Sequence, residues 1–73
     1  MAIAVKVLNT KTMEEYNYSS IINAKHAIIP LSARSGYTFK VYNTNTGELV
    51  GNIRPNPRRY KTTKATARFI RQD

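Results

Sequence analysis

The stretch from Tyr37 to Ile53 constrains this chain most. Tyr37, Phe39 and Val41 alternate with Thr38, Lys40 and Tyr42, the two-residue period of a strand with one buried face. Asn43-Thr44-Asn45-Thr46-Gly47 follows, a turn cluster whose asparagines and glycine accept positive φ. Leu49-Val50-Gly51-Asn52-Ile53 then returns as a second arm. Two such runs around a glycine-containing loop predict a β-hairpin. Gly51, within the second arm, marks a bulge or a close backbone approach.

Upstream, Ala2 to Leu8 reads as a strand, with Ile3, Val5 and Val7 on one face and Ala4, Lys6 and Leu8 on the other. Lys6 indicates that the second face reaches solvent. Asn9-Thr10-Lys11-Thr12 ends the strand with turn-prone residues. Thr12 and Glu15 have capping-box spacing, but Tyr16-Asn17-Tyr18-Ser19-Ser20 is poor helix material. The segment is therefore expected to be a polar connection with half-packed tyrosines, or else a short helix. Ser20 to Ile29 is the best helix candidate, capped by Ser19 or Ser20. Ile21, Ala24 and Ile28 share one stripe, and Ile22, His26 and Ile29 an adjacent one. Pro30 should end it, because the residue before proline avoids helical dihedrals. A strand over residues 27–31 is the rival reading. Leu31 to Gly36 is expected to be a loop.

Beyond the hairpin lies Arg54-Pro55-Asn56-Pro57-Arg58-Arg59-Tyr60-Lys61, and from Arg54 to Gln72 there are seven basic residues and no acidic one. Pro55 and Pro57 should stop the ladder, since neither donates a backbone hydrogen bond. The stiff Pro-Asn-Pro link would project Arg58 and Arg59 outward. From Thr62 to Ile70, Ala65, Ala67 and Phe69 alternate with Thr66, Arg68 and Ile70. That pattern suits an edge strand protected by its charges; a short helix capped by Thr62 or Thr63 is the alternative. The chain of 73 residues is thus expected to be a single small basic domain, with 54–73 a cationic segment that is either an edge strand or partly flexible. The expected fold class is α+β: an antiparallel sheet of three or four strands with a central hairpin, covered on its apolar face by one short helix.

Composition narrows the function classes. The chain has no cysteine, so disulfides and thiolate metal sites are excluded, which fits a reducing cytoplasm. No apolar run approaches the roughly 20 residues of a membrane span, and the N-terminal residues are too interrupted for a secretory signal. A cytoplasmic protein without membrane contact, monomeric when free, is expected. Twelve basic residues face four acidic ones, a net charge of +8. Such a surplus suits the phosphates of DNA or RNA, or an acidic patch on another protein.

Catalysis finds little support. His26 is the one histidine, and it lies in an apolar run where a half-buried packing role is expected. Adjacent Glu14 and Glu15 diverge on any regular element, so they form no acid–base pair. Glu48 and Asp73 are isolated from them in sequence, and no glycine-rich phosphate loop exists. The chain is expected to be non-enzymatic, with no cofactor and no metal. Binding is better supported. Arg58, Arg59, Tyr60 and Lys61 combine fork-shaped donors with an aromatic face. With Arg54, Lys64, Arg68 and Arg71 they form the candidate partner- or nucleic-acid-binding set. Lys40 and Tyr42 would extend that surface, unless they belong to an ordinary polar face.

A cysteine-free basic domain of this size, with a hairpin from Tyr37 to Ile53 and a cationic end from Arg54 to Arg71, resembles the small regulators that bacteriophages make to take over host transcription. It is similar in size and character to the RNA polymerase inhibitors and antiterminators among them. The resemblance is one of type and carries no site residues with it. It implies action in a bacterial cytoplasm. It also implies binding to the large subunits of bacterial RNA polymerase, with inhibition of initiation and altered termination. One standard interface takes roughly 800 Å² from each partner, which so small a domain can supply. Direct DNA or RNA binding through the basic C-terminal segment is the other reading.

Overall fold

The computed structural model describes residues 3–57 and 64–72. In chain order the elements are β1 (Val5–Asn9), β2 (Glu15–Tyr18), α1 (Ile21–Ser35), β3 (Phe39–Asn43), β4 (Leu49–Pro55) and β5 (Ala67–Arg71). The strands form one antiparallel sheet in the order β2-β1-β3-β4-β5. The α+β class is as expected, but the sheet has five strands rather than three or four.

The additional strand is β2. Thr12 does accept a backbone N–H, from Glu14 at 3.3 Å, but as part of a hairpin turn and not as a helix cap. Asn9 organises that turn: its Oδ1 accepts from Lys11 N at 2.9 Å and Thr12 N at 3.2 Å. Asn9 and Glu14 close the loop through their backbones at 2.8 Å. Met13 takes positive φ, 65°. Tyr16 and Tyr18 are half-packed on the core, as expected, but they sit on a strand paired with Val7 and Val5. Alternate aromatic positions with polar residues between them fit a half-buried edge strand.

α1 begins where Ser20 accepts from Asn23 N at 3.2 Å. It runs fifteen residues, through Pro30 and the expected loop, to a left-handed Gly36 whose N–H bonds Ser32 O. Pro30 is exposed, so the hydrogen bond it forfeits lies on the solvent side, where water can replace it. On the inner side the stripe Ala24, Ile28, Ser32 stays buried at four-residue intervals. Burial along that stripe offsets the roughly 3 kcal/mol that an internal proline costs. Ser32, fully buried, donates from Oγ to Tyr37 O at 2.7 Å. His26 is exposed, not half-buried, because it falls on the opposite side of the helix from that stripe.

Val5, Val7, Phe39, Val41 and Ile53 from the sheet join Ala24 and Ile28 from α1 to make the core. The central hairpin of β3 and β4 forms as expected, with a register shift between Val41 and Tyr42. Gly51 lies opposite Val41 at that irregularity. A Cβ at Gly51 would stand 2.5 Å from Ile70 O and 2.6 Å from the Phe69 ring, so both roles expected of this glycine are present.

Pro55 does not stop the ladder; it ends β4 paired with Ala67. Along this seam Gln72 N donates to Val50 O and Asn56 N to Thr66 O, each at 2.9 Å. The bonds therefore fall at even-numbered β4 positions, and the missing N–H of Pro55 points away from β5. β5 is an edge strand, as the alternation of Ala67 and Phe69 indicated, but it begins at Ala67, after the irregular residues 64–66. Thr62 and Thr63, the expected start of the strand or the caps of the alternative helix, lie outside the described residues.

Candidate interaction face

Strand alternation sends every second side chain of this sheet to the side away from α1. The paired residues Val5, Val7, Phe39, Val41 and Ile53 all turn toward the helix. Their neighbours turn the other way: Lys6 and Leu8 on β1, Lys40 and Tyr42 on β3, Asn52 and Arg54 on β4, Arg68 and Ile70 on β5. Among the described residues there is one helix, and it packs on the opposite face.

Register then decides what meets on this open face. Lys40, on the central strand, lies between Leu8 and Asn52. Tyr42 lies between Lys6 and Leu49, and it is half-buried. Arg54 and Arg68 are directly opposite each other across the β4–β5 seam, and both are exposed. Asn56 accepts through Oδ1 from Arg68 Nη1 and donates through Nδ2 to Thr66 Oγ1 at 3.1 Å. Two arginines, an asparagine and a threonine thus converge at one end of the face.

Like charges directly opposite on neighbouring strands cost up to about 1 kcal/mol. The Arg54–Arg68 juxtaposition is therefore a local conflict that folding alone does not require, and such conflicts gather at functional positions. Negative charge on the face is limited to Glu15 on β2, among the described residues, and Glu15 is 3.7 Å from Lys6. Both partners of that pair are exposed, so it contributes little. A shift in titration lies off this face, at Tyr16. Tyr16 donates to Glu14 Oε2 at 2.6 Å, and this hydrogen bond raises the phenol above its ordinary value, with desolvation adding to it.

Of the described residues expected to bind a partner, only Arg54 and Arg68 are brought together. Arg71 pairs with Gly51 and alternates onto the side of Phe69 and Ala67. Lys64 lies with Arg34, Ile29, Pro30 and Ala33 around an open groove of about 630 Å³ between α1 and the lead-in to β5. Arg58, Arg59, Tyr60 and Lys61 lie outside the described residues. Lys40 and Tyr42 do join the surface, as their alternation suggested. Lys6, Asn56 and Thr66 were not among the expected binding residues; for Lys6 the signal was its place opposite Val5 and Val7 in the alternation.

Among the described residues, no group of three or more His, Asp or Glu could hold a metal ion. No helix among them is long and apolar enough to cross a membrane. Among the described residues, the class defined here is an α+β domain of one helix and a five-stranded sheet, with a basic sheet face that none of them covers. In comparison with known proteins, no family model, no curated protein and no solved structure matches the chain.

Proposed function

We propose that this protein is a non-enzymatic regulator of transcription that docks on bacterial RNA polymerase, inhibiting initiation and altering termination. The observation that supports this reading is the placement of charge. A chain of net charge +8 keeps Lys6, Lys40, Arg54 and Arg68 on a sheet face with nothing packed over it among the described residues. RNA polymerase is a large acidic assembly that also handles nucleic acid, and a cationic face is steered toward such a surface. The test is capture from bacterial lysate on the immobilised protein, with and without nuclease. RNA polymerase is expected to be retained at low and moderate salt in both arms. If it is absent from both, the reading fails.

Direct binding of DNA or RNA is the second reading. It is favoured by Lys40 and Tyr42 on the central strand. The cores of protein–protein interfaces are depleted of lysine, whereas phosphate-binding surfaces are built from it. Retention that disappears on nuclease treatment is its expected signature.

A further inference from the structure

We propose that the open face is a platform for single-stranded nucleic acid, in which Arg54 and Arg68 hold one phosphate between them and Tyr42 stacks a base between Lys6 and Leu49. This rests on the second reading above and names its ligand.

Four observations carry it. The first is the Arg54–Arg68 pair itself. A phosphate seated between two facing guanidinium groups turns a repulsive contact into two charge-assisted, fork-shaped ones. The Asn56 amide already holds the Arg68 guanidinium at that end of the sheet, so less side-chain freedom is lost on binding.

The second is Tyr42, an aromatic on the middle strand with Lys6 beside it and Lys40 two residues away on the same face. Sheet platforms for single strands are built from aromatic faces interleaved with cations, because every base has a π-face to stack.

The third is spacing. Leu49, the partner of Tyr42, is five residues from Arg54 along β4, or about 15 Å at strand rise. A site of about four nucleotides, the low end for one small domain, fits that span.

The fourth separates single strands from duplex. The cations run from β1 to β5, three strand spacings in the sheet order, so the strands that carry them span about 14 Å. A major groove about 12 Å wide admits a helix or a two-stranded ribbon, so this face cannot enter one with its cations engaged.

The test is fluorescence anisotropy at low salt with labelled oligouridine and oligothymidine, a mixed-sequence duplex and a polyglutamate peptide. Both single strands are expected to bind at least several-fold tighter than the duplex and the peptide. Tyr42→Ala should weaken single-strand binding about tenfold, the loss of one stacked base. Tyr42→Phe, which keeps the ring, should bind like the parent, and this guards against a folding artefact. Arg54→Gln should lower affinity and reduce the salt slope by about one. Arg71→Gln, on the other side of the sheet, should change affinity much less than Arg54→Gln.

If no nucleic acid binds at low salt, the second reading fails and this inference with it. If duplex binds as tightly as single strands, or Tyr42→Ala has no effect, the reading survives and the platform is overturned. Equal affinity for polyglutamate overturns it too, because charge alone would then suffice.

Discussion

The two faces of this sheet are made by the same strands and obey opposite rules. Toward α1 stand Val5, Val7, Phe39, Val41 and Ile53, each at most 1% exposed, with Gly51 leaving room for Phe69. Away from it stand Lys6, Lys40, Tyr42, Arg54 and Arg68, with two arginines facing each other. The first face has the apolar matching that stability demands. The second spends stability on a charge conflict. The difference teaches that folding energy and binding chemistry are separated here by the two-residue period of a strand.

That separation can be broken by mutation, most sharply at Phe39. Phe39→Ala should cost about 3–5 kcal/mol in chemical denaturation, much of what a domain of this length has. Its neighbour Lys40→Ala should stay within about 0.5 kcal/mol. Equal losses would refute the division of labour.

The helix that covers the first face offers a test of opposite sign. Pro30→Ala should raise stability by up to about 3 kcal/mol, by restoring a hydrogen bond to the carbonyl of His26. An unchanged thermal midpoint would mean that helical continuity past Pro30 contributes nothing. Gly51→Ala should cost about 1–3 kcal/mol by overpacking against Phe69. Combined with Phe69→Ala it should cost less than the sum, a coupling measurable in a double-mutant cycle.

On the open face, Arg54→Thr should stabilise the free protein by up to about 1 kcal/mol while weakening nucleic-acid binding. A variant that loses both stability and binding would show Arg54 to be structural. The smallest effect expected is at Tyr16. Its phenol is raised by the Glu14 hydrogen bond, so its contribution to stability is present below the ordinary tyrosine range. That contribution is lost as pH climbs through the raised value. Ultraviolet titration of Glu14→Gln should bring the Tyr16 midpoint down; an unmoved midpoint would refute the assignment.

The parts of the fold that were legible are those where period and turn chemistry agree. The alternations Val5–Val7 and Phe39–Val41, the Asn43–Gly47 turn and the Ser20 cap all stand as expected. The misreadings share a cause. Thr12 with Glu15, Pro30 and Pro55 each carry a local signal that depends on where a backbone N–H points. For Pro55 the missing donor faces away from β5, and for Pro30 the lost bond to the His26 carbonyl lies on the exposed side of the helix, so each element continues. In the turn around Asn9, a side chain outcompetes a helical start.

At the candidate site, the charges of Arg54 and Arg68 were legible, but their meeting was not. Fourteen residues separate them in sequence, and only the β4–β5 register makes them partners. A slip of one residue would send one of the two to the other face.

Sequence by itself determined the sign of the charge, the absence of thiol chemistry, the central hairpin and the helix-facing stripes, because these follow from composition and short-range period. Tertiary structure alone decided that β2 joins the sheet, that α1 continues past Pro30, and that Lys6, Lys40, Tyr42, Arg54 and Arg68 share one open face. Those outcomes depend on pairing between distant segments, where the burial gained on one face settles what the other must display.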